Sequence, residues 1–345
     1  MTYLSFSRLC QTVVAIAIAT TFSACAVSGN APDGTLAVGA SQVKGKPVVP
    51  ATVSPSKAKS SKQVLFVSNL DGGIRIYSAD IHEKNPPLLK TITTGATRPE
   101  GVWVDSKDTL YVVNASTGSG GPSLSEYKRG ASRPFRTITT GLLGYPGAVA
   151  VGNDGTVYVN TVSDSETASN PPSQGGSTGA VVVYGPGEIT PKATIDLPQA
   201  AEYGMAAGGM AIDKQGNVYA ANEGDADVVE VFEITPGSLQ VTDLALTGPG
   251  GEAIAIDGSG NLYTGGFAGS GGYFVAVYPP GARSPSRTFP LYFQAYGMTA
   301  TSNGTLYVVG EDDVYEFAPG ASTPTNIVGT LDGETFTYDA AIGSQ

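Results

Sequence analysis

The chain has 345 residues, with 30 acidic against 19 basic side chains, a net charge of −11 and a single histidine. An acidic balance of this size argues against a nucleic-acid surface, which rests on lysine and arginine neutralising phosphate. One histidine leaves no material for a His-rich zinc site, and the place of His82, on an outer connection, argues against a Ser-His-Asp triad.

The N-terminus opens with Arg8, an apolar run from Val13 to Ala19, and then Phe22-Ser-Ala-Cys25. A basic flank, a short apolar core and small residues form a secretory leader. Phe-Ser-Ala-Cys resembles a bacterial lipoprotein box, which implies that residues 1–25 are a leader ending at Cys25, the lipidated residue. The resemblance places the mature protein across the inner membrane. With Ala26 rather than aspartate after the cysteine, it implies anchoring in the outer membrane. Cys10 leaves with the leader, so the remainder has no thiol and no disulfide.

Residues 26–62 are rich in Pro, Ser, Ala, Val and Lys and lack periodicity, as expected of a disordered tether. Such a tether spans on the order of 30 Å as a flexible coil. It holds Lys44, Lys46, Lys57, Lys59 and Lys62 against Asp33. Setting these and Arg8 aside leaves 13 basic and 29 acidic residues in 63–345, a net of −16. This charge suits solubility, cations or a basic partner. Lys128, Arg129, Arg133 and Arg136 form one basic cluster.

From residue 63 onward a degenerate repeat runs to the end. Phe66, Tyr111, Tyr158, Tyr219, Tyr263 and Tyr307 recur at intervals of 45, 47, 61, 44 and 44 residues. Periods of 40–50 residues built from short strands mark propeller blades. Each anchor lies in an alternating strand such as Thr109-Leu-Tyr-Val-Val. Tight turns precede five of them, among them Asp105-Ser-Lys-Asp, Asp213-Lys-Gln-Gly and Asp257-Gly-Ser-Gly. Before each turn lies a small-residue apolar strand suited to a crowded channel, as in Ala253-Ile-Ala-Ile. A third strand ends on an aromatic (Tyr77, Tyr127, Tyr184, Phe232, Tyr278, Phe317), and a fourth follows, often after Pro-Gly. The predicted fold is all-β: a six-bladed β-propeller of four-stranded blades over 63–345. Tyr338-Asp-Ala-Ala-Ile matches the innermost-strand pattern without an anchor after it. It is expected to complete the first blade and close the ring.

Strand order places the Asp-x-x-Gly and Pro-Gly turns on one face. The variable loops, including the long 161–179 insertion, lie on the other, and functional groups usually ride on such loops. The residues expected to ring the channel mouth there are Glu100, Gly147, Gly208, Glu252, Tyr296 and Tyr338. Glu100 and Glu252, three blades apart, are expected to face each other. Asn69, Asn114 and Asn222 lie three residues past their anchors, near the same mouth. Oxygen ligands in an acidic funnel suit a hard cation such as Ca2+, and the tyrosines suit stacking on a ligand ring. Asp225, with Asn222 close by, is a second cation candidate without EF-hand spacing. His82 falls on an outer connection, away from the channel.

Pro99-Glu-Gly-Val-Trp-Val-Asp and Met210-Ala-Ile-Asp-Lys-Gln-Gly-Asn-Val-Tyr resemble the repeat of NHL-type β-propellers. The resemblance implies the fold and leaves the function open, since such propellers include scaffolds, ligand binders and enzymes. The leading expectation is a monomeric, lipid-anchored, non-catalytic binding module whose variable face takes a protein or glycan partner. The alternative is a divalent-metal-dependent hydrolase. Glu100 resembles the glutamate of the gluconolactonase and senescence-marker-protein family, with Val102 where that family has proline. That resemblance implies a metal held by Glu100 and by Asn160, Asn222 or Asp225.

Overall fold

The computed structural model describes residues 62–344 except 71, 80–84, 116–119, 143–144, 163–178, 199–206, 223–229, 249–250, 268–271 and 329–336. The chain divides into two units, residues 1–56 and 57–345, and all the structure described lies in the second. The leader, Cys25 and the tether up to residue 61 lie outside the described residues, as do His82 and Asp225.

Every described element is a strand. The first blade begins with β1 (Gln63–Asn69), β2 (Gly73–Ser78) and β3 (Leu88–Ile92). The second holds β4 (Pro99–Val104), β5 (Leu110–Asn114), β6 (Ser123–Tyr127) and β7 (Arg136–Ile138). The third holds β8 (Pro146–Val151), β9 (Val157–Val162), β10 (Gly179–Tyr184) and β11 (Pro191–Asp196). The fourth holds β12 (Ala207–Ile212), β13 (Val218–Asn222), β14 (Glu230–Thr235) and β15 (Gln240–Asp243). The fifth holds β16 (Ala253–Ile256), β17 (Leu262–Phe267), β18 (Tyr273–Tyr278) and β19 (Arg287–Leu291). The sixth holds β20 (Gly297–Ala300), β21 (Leu306–Val309), β22 (Val314–Phe317) and β23 (Asn326–Val328). The last strand, β24 (Thr337–Ser344), returns to the first blade, where the sheet order is β24-β1-β2-β3. Phe66 stands opposite Ala341 and Leu65 opposite Ile342, so the ring closes as the repeat predicts.

The anchors fill the spaces between blades. Phe66 packs with Val102, Val112 and Tyr127 of the next blade, and Tyr158 with Val218, Ala220 and Phe232 of its own next. Tyr219, Tyr263 and Tyr307 do the same further round. Each fully buried aliphatic or aromatic side chain contributes about 1.5–3 kcal/mol of transfer free energy, so six such clusters hold the blades face to face. Innermost strands meet backbone to backbone. A Cβ on Gly101 would lie 2.6 Å from the Ala148 Cα, and one on Gly297 would lie 2.6 Å from the Tyr338 carbonyl oxygen. This contact is what the small residues of the innermost strands make possible.

The turn face is uniform. The fourth turn residue has positive φ in five blades: Gly155, Gly216, Gly260 and Gly304, with Asp108 taking the place of glycine in the second blade. Asp257 accepts the amides of Ser259 and Asn261 at 2.8 and 3.0 Å, and the Tyr263 hydroxyl donates to it at 3.0 Å. Asp105 with Tyr111, and Asp213 with Tyr219, repeat the clasp. Burial pushes the Asp257 carboxyl up, but its hydrogen bonds outweigh that and hold it below the usual range.

Candidate functional site

The mouth of the channel is shaped by bulges. Ladder register shifts between Pro99 and Val102 in β4, between Pro146 and Ala148 in β8, and between Ala207 and Met210 in β12. β24 bulges likewise, at Tyr338-Asp339 opposite Ser68. A bulge re-aims one side chain against the period-2 rule. Gly147, Gly208, Glu252, Tyr296 and Tyr338 line one narrow cavity of about 20 Å³, with Asp339 beside them. That volume holds about one water molecule.

Glu100 does not share that cavity. It is fully buried inside β4 and turns toward the third blade, where the Tyr145 hydroxyl donates to its Oε1. Arg98 Nη2 donates to the Tyr145 oxygen at 3.0 Å, and Arg98 Nε stands 3.7 Å from Glu100 Oε1. Glu100 Oε2 accepts no hydrogen bond among the described residues. Burial raises the Glu100 carboxyl to about 7, against the lowering effects of Tyr145 and Arg98. Burial, and then the Glu100 charge, raise the Tyr145 hydroxyl well above its ordinary value. The expected opposition of Glu100 and Glu252 across the ring is not what the structure shows, because the β4 bulge turns Glu100 between blades. With a guanidinium beside it and no exposed surface, Glu100 does not fit a cation ligand in this arrangement.

Asp339 takes the position at the channel wall. Its carboxylate accepts the Val102 amide at 3.0 Å and the Ala340 amide at 2.8 Å. Burial is the larger effect and raises it to about 7. Ser68 ties the same corner together, donating to the Glu100 carbonyl at 2.6 Å and accepting the Asp339 amide at 2.8 Å. The junction of first and second blades is therefore latched by groups from both ends of the propeller.

The asparagines divide differently. Asn114 is buried and clasps the approach to β4: it accepts the Thr97 amide at 3.0 Å and donates to the Gly95 carbonyl at 3.0 Å. Asn160 is buried and donates to the Gly208 and Ala221 carbonyls at 2.9 Å each, joining third and fourth blades. Asn69 is buried at the end of β1. The Asn222 backbone ends β13, while its side chain and Asp225 lie outside the described residues. Among the described residues no three acidic, histidine or cysteine side chains converge as a metal site.

One feature of this face is an aromatic arc over the fifth and sixth blades that ends on Tyr338 of the first. Phe267 and Tyr273 have ring centroids 5.4 Å apart, and Tyr273 stands opposite Leu291 in the ladder. Tyr292 follows with 91% of its surface exposed. Phe293 stacks on Tyr315 at 3.9 Å, and the Tyr296 and Tyr338 rings lie 6.3 Å apart above the channel. Glu252 borders the arc and accepts Gln294 Nε2 at 3.1 Å. Tyr296 and Tyr338 are visible from the repeat; Phe267, Tyr273, Tyr292 and Phe293 are not, since they fall at strand ends and in a linker that differs from blade to blade.

The turn face is less plain than its regular turns imply. A cavity of about 360 Å³ opens there between fourth and fifth blades, lined by Leu244, Leu246, Ile256, Tyr278, Glu233 and Arg283 among others.

No protein-family model matches the chain, and no curated protein matches it in sequence. Solved structures do match. A protein of unknown function from Bacteroides caccae aligns with a TM-score of 0.58 and 12% identity, over 82% of this chain and 99% of that one. Hydrazine synthase from Kuenenia stuttgartiensis aligns with a TM-score of 0.50 and 16% identity, over 73% and 72%. A calcium-binding regucalcin from Agrobacterium tumefaciens aligns with a TM-score of 0.46 and 12% identity, over 70% and 77%. At these identities the likeness concerns the fold alone, and the strand order itself shows that fold: this chain is an all-β protein whose sheets form a six-bladed propeller.

Proposed function

We propose that this protein is a non-catalytic binding module of the cell envelope, anchored by lipid on Cys25, whose mouth face holds a protein or glycan partner. The aromatic arc is the observation behind this reading. Rings spend little conformational entropy on binding and supply large apolar area, which is why aromatic anchors dominate interfaces. They also offer flat faces to the C–H face of a sugar, with Glu252, Gln294 and the tyrosine hydroxyls beside them for polar groups. Glu100, the residue through which a gluconolactonase-like reaction would run, is occupied by Tyr145 and Arg98.

The test is a titration of the full chain against neutral oligosaccharides and candidate envelope proteins, with Tyr292→Ala and Phe267→Ala beside it. A ligand whose affinity falls about tenfold or more in either variant supports the reading. Equal affinity in both variants removes the arc from it. Calcium calorimetry with Glu100→Ala decides the alternative: a single tight site lost in that variant replaces the binding module with the metal-dependent hydrolase. Mass spectrometry of the mature chain, with and without Cys25→Ser, tests the anchor separately.

A further inference from the structure

The positive charge of this acidic propeller gathers at one corner. Lys90, Lys128, Arg129, Arg133 and Arg136 lie at the outer edge of first and second blades, where Arg129 pairs with Asp108 and Arg136 with Glu126. Arg136 is held by Glu126 at 2.7 Å and Arg129 by Asp108 at 3.4 Å. Lys128 and Arg133 are exposed and make no ion pair among the described residues.

An apolar side chain stands exposed at the same corner. Phe135 is 52% exposed. Lys90 Nζ donates to the Gly130 carbonyl at 2.8 Å, which brings the outer strand of the first blade against the turn of the second. Phe135 lies 5.6 Å below Lys128 Nζ, its ring centroid also 6.0 Å from the Arg136 guanidinium. Ile189, at the corresponding turn of the third blade, is exposed as well.

The corner lies on the face from which the preceding chain departs. β1 is the second strand of its blade, so Lys62 and Gln63 lie at the turn face. There Gln63 accepts the Ala79 amide at 3.0 Å, and Gln63 pairs with Ser344 in the ladder. Ser344 in turn donates its amide to Asp108, the partner of Arg129, at 3.1 Å.

We propose that this corner docks on an anionic lipid surface, with Lys128 and Arg133 against headgroup phosphates and Phe135 at the acyl boundary. Clustered basic residues around an exposed aromatic have the charge and the apolar content that an anionic bilayer surface complements. The remaining acidic residues oppose this weakly, because at physiological ionic strength charges are screened beyond about 8 Å. Docking there turns the variable face, with its aromatic arc, away from the membrane. The inference extends the anchored reading but rests on a different surface.

The test uses the full chain carrying Cys25→Ser, which removes any lipid anchor, and sedimentation with vesicles of phosphatidylcholine alone or with phosphatidylglycerol. Greater binding to the anionic vesicles, falling about tenfold in Lys128→Glu/Arg133→Glu and several-fold in Phe135→Ser, is the expected result. High salt should abolish the charge-dependent part. These side chains are exposed, so circular dichroism should show each variant folded. Equal binding to neutral vesicles, or binding unchanged in both variants, overturns the proposal. Loss of vesicle binding in favour of an acidic protein overturns it too and reassigns the corner to that partner. A mature wild-type chain without lipid on Cys25 would sink the anchor while leaving these outcomes readable.

Discussion

Glu100 offers a sharp test of how this propeller is held together. Its carboxyl shifts from an ordinary value of 4.5 to about 7 in the folded chain. The folded state therefore holds the proton more tightly than the unfolded state. The sign follows: the Glu100 contribution to stability is full below pH 4.5 and is lost as pH rises toward 7. Integrated over that window, the difference is about 3 kcal/mol, at 1.36 kcal/mol for each pH unit. Asp339, also raised to about 7, adds a loss of the same sign over its own window. Glu100→Gln separates them. The glutamine does not titrate, keeps an oxygen for the Tyr145 hydroxyl, and places its amide where Oε2 has no partner, a penalty independent of pH. Urea unfolding of wild type and Glu100→Gln at pH 4.5 and 8 measures the difference. The wild type should lose about 3 kcal/mol relative to the variant across that range. A difference constant with pH would refute the claim that Glu100 is buried and poorly solvated.

Tyr145→Phe removes the hydrogen bond that lowers Glu100; the pH-dependent loss should then extend above pH 7, visible in the same unfolding series. Tyr263→Phe breaks the clasp on Asp257 and should cost about 1 kcal/mol by denaturant midpoint, with the strand pattern kept by circular dichroism. Gly101→Ala forces a Cβ against the Ala148 backbone and should cost about 2–3 kcal/mol, whereas Gly121→Ala, with open space around it, should stay within about 0.5 kcal/mol.

The fold was legible because each blade repeats its chemistry. An anchor aromatic, a turn with glycine at its end and a small-residue strand recur at fixed offsets, and Tyr338-Asp-Ala-Ala-Ile showed where the ring closes. The site was legible only where it follows the repeat. Glu252, Tyr296 and Tyr338 reach the channel as their offsets predict. Glu100 departs because the β4 bulge turns it toward Tyr145, 45 residues away, and strand alternation contains no term for either. Asn114 and Asn160 share the polar character of ligands, yet their side chains are engaged with backbone atoms of neighbouring segments. The clasp of Asp105, Asp213 and Asp257 on the tyrosine six residues later was open to view as a spacing; its meaning needed the geometry of the turn.

The return of β24 to the first blade sets a clock on the protein. β1 has no innermost partner until the last strand arrives, and 274 residues separate their first residues, Gln63 and Thr337. At about 5–20 residues per second of synthesis the first blade waits for tens of seconds with one strand edge bare. Until then five blades can assemble but the sixth interface cannot, and the latch of Ser68, Glu100 and Asp339 has one member missing.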